Sequence, residues 1–262
     1  MNWLYKLIAN SSDATILIGG VVSTAVLALV LARVSRRLLF SPQDDALESH
    51  GKLADMVHGS LLAFSVFVLA LVLTEVRSNL GKADDAELRE ASVITRLVRD
   101  LQALGTEGAS TASERVKDYV RSTVTTEWKT LAQHEPSLAD ETDRAMASLV
   151  AEVNKLAADS PGAAGALRAY VDKLEDLRQS RLEIATKSVP PVFWWVMAVF
   201  IVGAMIMNGR HKQDAFGMTL IALHMGAIGM VVALILVMDS PFRGETSVSP
   251  ASLVRAARLS AP

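Results

Sequence analysis

An unbroken run of helix-forming residues joins an apolar segment to a charged one in the first half of the chain. The stretch HGSLLAFSVFVLALVLTEV begins at His58 and contains no charged residue before Glu75. It continues without a proline into VRSNLGKADDAELREASVITRLVRDLQAL. A helix needs about 20 mostly apolar residues to cross roughly 30 Å of hydrocarbon. The sequence therefore predicts one helix that crosses a bilayer and then continues about as far again into water.

Three other segments of the chain are also apolar enough to cross a membrane. Apolar residues make up 51% of the chain while its formal net charge is only −2, a combination typical of a membrane protein with a solvated part. We predict an all-α polytopic membrane protein with four transmembrane helices and an amphipathic helical bundle inserted between helices two and three. The predicted spans cover about residues 14–34, 55–76, 191–208 and 216–238.

The inserted segment shows apolar residues at helical spacing among charges of both signs. A stripe at three- and four-residue steps ends at Gly105. Thr111 is expected to cap a second helix and Ser137 a third, while a fourth begins near Ala163. The predicted domains are an N-terminal membrane part at 1–76, the helical soluble insert at 77–189, a second membrane part at 190–240 and a C-terminal tail at 241–262.

The charges of the insert are well mixed along every predicted helix. Such mixing is most simply explained by solvated helix faces joined by ion pairs. Asp84, Asp85, Glu87 and Glu90 form a local acidic group, but their spacing matches no metal-binding loop. We therefore predict that these charges are structural, that they face solvent and that the insert holds no metal.

No motif for catalysis is present in the sequence. The chain contains no Cys, which excludes disulfides, thiolate metal sites and Cys nucleophiles. We find no Ser-His-Asp constellation, metal-ligand cluster, P-loop or dinucleotide-binding glycine fingerprint. We therefore predict no enzymatic activity, no catalytic residue and no cofactor. The small net charge gives no reason to expect nucleic acid as a partner.

The distribution of Lys and Arg indicates an orientation in the membrane. Short loops rich in these residues stay in the cytoplasm, and here they concentrate in the first and third loops. The count favours a multi-pass protein with both termini and the insert on the outer side. The loop residues counted are Arg33, Arg36, Arg37, Lys52, Arg210 and Lys212.

Two adjacent faces of the second span could line a pore if several copies surrounded an axis. Apolar constrictions can gate ions by dewetting, and polar or charged rings can select them. A stripe of Phe and Leu is also typical of lipid contact or helix packing. The pore-lining candidates are His58, Ser65 and Glu75 on one face, and Phe64, Phe67 and Leu71 on the other, which also carries Ser60 and Thr74.

His224 lies midway along the fourth span. An ionisable group at that depth is costly unless it faces protein or water, so it is a functional hypothesis by default. The alternative is a neutral imidazole that bonds a neighbouring helix.

Small residues recur every third or fourth position in the first and fourth spans. They run from Gly20 to Ala32 and from Ala222 to Ala233. Stripes of this kind allow the backbones of membrane helices to approach closely. The contact they predict is either within one subunit or between subunits.

The fourth span ends in a short segment with distinctive residues. Pro241 stops the helix and Gly244 permits a tight turn, so a turn that holds the tail explains the segment on physical grounds. The complete segment contains Asp239, Pro241, Phe242, Arg243 and Gly244.

This ending resembles that of a group of bacterial membrane proteins described as bestrophin-like. Two further features agree with the resemblance, which extends from about Met56 to the end of the chain: Tyr119 with Glu127-Trp128 in an insert helix, and the proline-led third span from Pro190 to Trp194. Bestrophins are pentameric anion channels whose second membrane helix lines a narrow apolar neck. The resemblance implies the same order of helices, a bacterial inner-membrane location and a cytosolic insert, whereas the charge count favours an outer one.

The patterns and the resemblance together support two functions. The first is a homo-oligomeric ion channel of four or five copies in the lipid bilayer, passing inorganic anions, with the second span lining the pore. The second is a non-conducting scaffold or sensor whose helical insert binds a partner. Oligomeric state and ion flux distinguish them.

Overall fold

Helices make up most of the chain in the computed structural model, which describes residues 11–40, 46–133, 135–211 and 213–258. Residues 1–10 and 259–262, which fall in the predicted N-terminal part and tail, lie outside this description. The helices are α1 Asp13–Leu38, α2 Ala46–Leu104, α3 Glu107–Ser122, a π-helical turn Thr123–Glu127, α4 Trp128–Leu131, α5 Asp140–Asp159, α6 Ala164–Thr186, α7 Pro191–Met207, a 3-10 turn Asn208–Arg210, α8 Ala215–Met238 and α9 Ala251–Arg258.

The second helix is continuous, as the sequence predicts. Helix α2 runs through 59 residues from its apolar part into its charged part. Within the described residues, four stretches are long and apolar enough to cross a membrane, which confirms the all-α fold with four candidate spans. They lie in Asp13–Leu38, Gly51–Leu104, Ala164–Arg210 and Ala215–Met238.

Internal contacts divide the chain into two units. The membrane unit contains Met1–Arg77 and Val189–Asp239, and the charged unit contains Ser78–Ser188 and Ser240–Pro262. Each has its own apolar core.

The membrane unit is built on a close crossing of α1 and α8. A Cβ added to Gly20 would lie 2.8 Å from the carbonyl oxygen of Gly229, and one added to Gly229 would collide with Thr24. Only glycine allows the two backbones to approach this closely. The small-residue stripes of the first and fourth spans therefore pack against each other within one subunit.

The turn after α7 packs against the end of α1. The hydroxyl of Ser35 donates a hydrogen bond to the carbonyl oxygen of Ile206 at 2.8 Å. A Cβ on Gly209 would lie 2.9 Å from the carbonyl oxygen of Ala32. This contact fixes the 3-10 turn that follows against the end of the first span.

The charged unit has a conventional apolar interior. The predicted stripe on the second part of α2 faces this interior, where Ile94 and Leu97 are fully buried. Leu149 of α5 and Leu174 of α6 meet them, and Leu253 of α9 is buried in the same cluster. The tail after the fourth span is therefore part of this core.

Two helix starts differ from the predicted ones. Helix α3 begins at Glu107 because Thr106, directly after the left-handed Gly105 (φ 63°), accepts the N–H of Ala109 and caps the helix. Thr111 lies inside the helix. Helix α5 begins at Asp140 rather than after Ser137, whose carbonyl oxygen accepts a hydrogen bond from Thr130.

Candidate functional site

One face of the second span is largely exposed in the described part of the chain. Phe64, Phe67 and Leu71 are 55%, 61% and 51% exposed. Their spacing of three and four residues places them along one side of α2. Phe64 also stacks on Phe200, with ring centroids 5.6 Å apart. The chain thus presents an aromatic and aliphatic stripe to its surroundings.

The other predicted face of the second span packs inward. Ser65 is fully buried and its hydroxyl donates to the carbonyl oxygen of Leu61 at 2.8 Å. Val72, seven residues further on, is also buried. His58 is half-buried at the beginning of the span, and Glu75 is exposed at its end. The structure therefore separates the six pore candidates. Phe64, Phe67, Leu71 and Glu75 are exposed, His58 is half-buried and Ser65 is buried.

The hydroxyl groups on the exposed face are satisfied within α2. Ser60 donates to the carbonyl oxygen of Met56 at 2.9 Å, and Thr74 donates to that of Ala70 at 2.8 Å. A hydroxyl that bonds the preceding turn adds little polarity to a membrane surface. Glu75, which the sequence pattern groups with His58 and Ser65, is exposed at the end of the span and adds a carboxylate beside this face.

A buried carboxylate organises the core of the charged unit. The π-helical turn after α3 places Glu127 in the interior, where it is fully buried. Arg178 Nε donates to both carboxylate oxygens, at 3.1 and 2.9 Å, and Arg181 Nη2 donates to Oε1 at 2.7 Å. The N–H of Ala139 donates to Oε2 at 3.3 Å. The charge of Glu127 is therefore compensated by two side chains of α6 and by one backbone N–H of the loop before α5.

Arg181 connects this carboxylate to a second one. Its Nη1 donates to Glu90 Oε2 at 2.7 Å, and the hydroxyl of Tyr119 donates to Glu90 Oε1 at 2.6 Å. Burial raises the pKa of the Glu90 carboxyl, and the Arg181 charge and the Tyr119 hydrogen bond oppose that rise. Two carboxylates and two guanidinium groups thus balance in the interior, and Arg178 Nη1 also donates to the partly exposed carboxylate of Asp143. We call Glu90, Tyr119, Glu127, Arg178 and Arg181 the buried charge network.

The indole of Trp128 adjoins this network. The guanidinium carbon of Arg181 lies 5.5 Å from the indole centroid, within the range of a cation–π contact. Indole Nε1 donates to the carbonyl oxygen of Val248 at 3.1 Å. The Phe242 ring meets the indole edge-on, with centroids 5.3 Å apart. Two of the features that carry the sequence resemblance, Tyr119 with Glu127-Trp128 and the ending that contains Phe242, therefore meet in one core.

The segment after the fourth span forms a turn, as its Pro and Gly predict. Asp239 Oδ1 accepts the N–H of Val189 at 2.8 Å within the membrane unit. In the charged unit the N–H of Val248 donates to the carbonyl oxygen of Pro241 at 2.9 Å. The N–H of Arg243 donates to the carbonyl oxygen of Ser240, and Gly244 has a positive φ of 88°.

The prediction that all charges of the insert face solvent is wrong for five residues, Glu87, Glu90, Glu127, Arg178 and Arg181. Arg178 and Arg181 continue the apolar stripe of α6, four and seven residues after Leu174. A charge at a core position of a helical stripe is a readable signal of a buried ion pair. Glu90 lies in the same way between buried positions of α2, and Glu87 of the predicted acidic group accepts the N–H groups of Ser252 and Leu253.

Comparison with known proteins agrees with this fold. The family model described as Bestrophin-like domain matches residues 21–253. A crystal structure of a bacterial Bestrophin homolog from Klebsiella pneumoniae is similar, with a TM-score of 0.61, 14% identity and coverage of 92% of this chain and 96% of the homolog. A crystal structure described as a membrane protein variant has a TM-score of 0.62 at 14% identity and covers 91% of this chain and 96% of its own. No curated protein matches the sequence.

Proposed function

Because the chain belongs to the Bestrophin-like family, we propose that it is a channel-forming membrane protein whose copies surround an axis lined by α2. The copies form a ring of four or five in the bilayer, and inorganic anions pass along the axis. This proposal assigns no catalytic residue and needs no cofactor. The choice of anions rests on the family, and the choice of α2 as the lining rests on its exposed face.

The observation that carries the proposal is the uncovered stripe of Phe64, Phe67 and Leu71. On α1 the large exposed residues are aliphatic, such as Ile18, Val22 and Val26, and they suit contact with lipid tails. The stripe on α2 has two aromatic rings, and in a ring of copies it would form an apolar constriction. Such a constriction controls ion passage by excluding water.

Glu75 and Thr74 would form polar rings at one end of this constriction, and Ser60 a ring at the other. Ser65 is not included in the lining, because it is buried within the subunit. His58 is half-buried and is also left out of the proposed lining. The proposed pore therefore depends on Phe64, Phe67 and Leu71, with Phe67 the most exposed of the three.

Two measurements test the proposal. Native mass spectrometry of the protein in nanodiscs gives the number of copies, and planar bilayers give the conductance. We expect a closed ring and a chloride current that Phe67→Ala increases by widening the constriction. Phe193→Ala on α7, which is 38% exposed, is the matched control and should leave the current unchanged.

A monomer or a dimer without current would contradict the channel. That result would favour the alternative, a scaffold or sensor whose charged unit binds a partner. A ring whose current responds equally to Phe67→Ala and Phe193→Ala would keep the channel and remove α2 from its lining.

The orientation of the charged unit is part of the same proposal. The positive-inside count favours the outer side for it. The chain has no Cys, so single cysteines can be placed on either side without background labelling. Ser148→Cys in α5 should react with an impermeant maleimide in intact cells, and Leu39→Cys, 65% exposed after α1, should not. The reversed pattern would place the charged unit in the cytoplasm.

A further inference from the structure

A cavity of about 370 Å³, lined by both polar and apolar side chains, opens within the membrane unit. It lies between the beginning of the second span, the 3-10 turn after α7 and the first half of α8. Three of the five His residues of the chain line it. Its lining includes His58, Asn208, His211, Asp214, Phe216 and His224.

Hydrogen-bonding groups at this cavity lack partners. Asn208 is only 5% exposed, and its Nδ2 is buried without a hydrogen bond. His58 Nδ1 is buried without a partner in the same way, and so is Nη1 of Arg210 in the same turn. Leaving several buried polar atoms unsatisfied is costly, so a cavity of this size and polarity is expected to hold something that bonds them.

The acidic side chains near the cavity are already engaged. Asp55 pairs with Nη2 of Arg210, and Asp214 Oδ1 caps α8 by accepting the N–H of Gly217 at 2.8 Å. Arg36 approaches from α1 and donates to the carbonyl oxygen of His211 at 2.6 Å. Two guanidinium groups therefore stand beside the cavity while its unpartnered amide nitrogen is a donor.

A metal ion does not suit this arrangement. Nowhere in the described part of the chain do three or more His, Asp or Glu side chains come close enough to hold one. The rings of His58 and His211 meet edge-on with centroids 6.1 Å apart, and no third His, Asp or Glu of the described residues completes a metal site with them. Amide and guanidinium N–H groups bind anions, with imidazole N–H groups in support.

We propose that this cavity is an anion-binding site, in which Asn208 Nδ2 and the imidazoles of His58 and His211 donate to a bound anionic group, with the positive charge of Arg210 in the adjoining turn. All of these residues belong to one subunit, so the site does not rest on the proposed pore. The anion is either a free ion such as chloride or the phosphate of a lipid headgroup. Both accept the same hydrogen bonds.

The rim of the cavity is apolar on one side and open to water on the other, so both a lipid headgroup and a free ion have access to it. Phe216 is 73% exposed and Leu220 is 50% exposed, so an apolar surface of α8 adjoins the polar interior. Acyl chains could lie on this surface while the phosphate enters the cavity. A free anion would enter from water beside the loop that carries His211.

Imidazole nitrogen shifts provide a direct readout, because only five His residues are present. The full-length protein is labelled with ¹⁵N-histidine, and the cavity signals are assigned with His→Gln variants. In zwitterionic nanodiscs, chloride replaces gluconate at constant ionic strength and pH. In a second series, the chloride concentration stays low and the fraction of phosphatidylglycerol in the nanodisc rises.

We expect the signals of His58 and His211 to shift and saturate in one of the two series, which also identifies the source of the anion. Asn208→Asp places a carboxylate where the amide donates, and it should weaken that binding at least tenfold. Asn154→Asp, at an exposed position of α5, is the matched control and should bind like the parent protein. His58→Phe keeps the ring and removes its nitrogens, and provides a second test if Asn208→Asp does not fold.

Shifts that stay linear in both series, or saturating shifts that are unchanged in Asn208→Asp and His58→Phe, would overturn the proposal and leave a cavity filled by water alone. Because the readout is binding within one subunit, a non-conducting protein could still pass this test. A conducting ring could equally fail it, so the two proposals can be separated.

Discussion

The two units of the molecule distribute polarity in opposite ways. In the membrane unit, large apolar residues such as Phe67 are exposed, and hydroxyls such as that of Thr74 are satisfied within their own helix. In the charged unit, the surface carries ion pairs such as Arg121 with Asp118, and two complete carboxylate–guanidinium pairs are buried. Membrane helices are held together by close backbone packing, whereas the charged unit combines an apolar core with specific, directional charge contacts.

The comparison implies that removing a single charge lowers the free energy of unfolding most in the buried interior of the charged unit. Arg181→Met removes one partner of Glu90 and Glu127 and leaves both carboxylates buried without it. Breaking a buried ion pair costs about 3–5 kcal/mol of folding free energy. Arg121→Met removes an exposed pair with Asp118, where the expected loss is about 0–1 kcal/mol. Chemical denaturation followed by tryptophan fluorescence measures both, and equal losses would mean that the network is hydrated.

In the membrane unit the corresponding sensitive position is a glycine. Gly229→Ala places a Cβ against Thr24 and the carbonyl oxygen of Gly20, so we expect α1 and α8 to separate at a cost of about 1–3 kcal/mol. Gly19→Ala has open space around it and should be neutral or slightly stabilising. Thermal unfolding in detergent distinguishes the two. A Gly229→Ala protein as stable as Gly19→Ala would show that the crossing is looser than the backbone distances indicate.

An effect of similar size tests the hydrogen bond at the edge of the buried charge network. Tyr119→Phe removes the donor to Glu90, and hydrogen bonds to charged groups contribute about 1.5–3 kcal/mol. The pKa of Glu90 should rise further, because the lost hydrogen bond favoured the ionised carboxylate. Tyr170→Phe is the matched control: its hydroxyl donates to Asp100 at 2.9 Å in a less buried setting. Equal losses in the two variants would argue against a special role for burial.

The sequence predicted the membrane unit better than the interior of the charged unit, and the reason is physical. A span and its small-residue stripes are local patterns, readable from apolar length and from four-residue repeats such as that of Gly20 and Thr24. The buried charge network joins residues 29 to 91 positions apart, as in Tyr119–Glu90 and Arg181–Glu90. The one local signal was the position of Arg178 and Arg181 on the apolar stripe of α6, which predicts that they are buried. No local pattern identifies the carboxylates that pair with them.

The candidate site divides in the same way. The phase of α2 correctly grouped Phe64, Phe67 and Leu71 on one face, because three- and four-residue steps determine which side chains lie together. It could not decide which face packs inward, since that depends on the neighbouring helices. The cavity around Asn208 was missed as well, because His58, His211 and His224 come from three distant segments and share no spacing.

The smallest expected effect concerns a single titration beside this cavity. Burial and the nearby Arg210 charge lower the pKa of His211 below its usual value, against the opposing effect of Asp55. His211 therefore contributes stability above the ordinary histidine pKa of about 6.5, and this contribution is lost as the pH falls toward the folded-state pKa. Arg210→Gln removes the positive charge and frees Asp55, so the pKa of His211 should rise, as read from its ¹⁵N shift across a pH series. Arg37→Gln, an exposed arginine of α1, should leave that pKa unchanged. If both variants raised it equally, the basic loops would act on His211 through their summed field, and the membrane unit would lack the specific charge contacts that distinguish the charged unit.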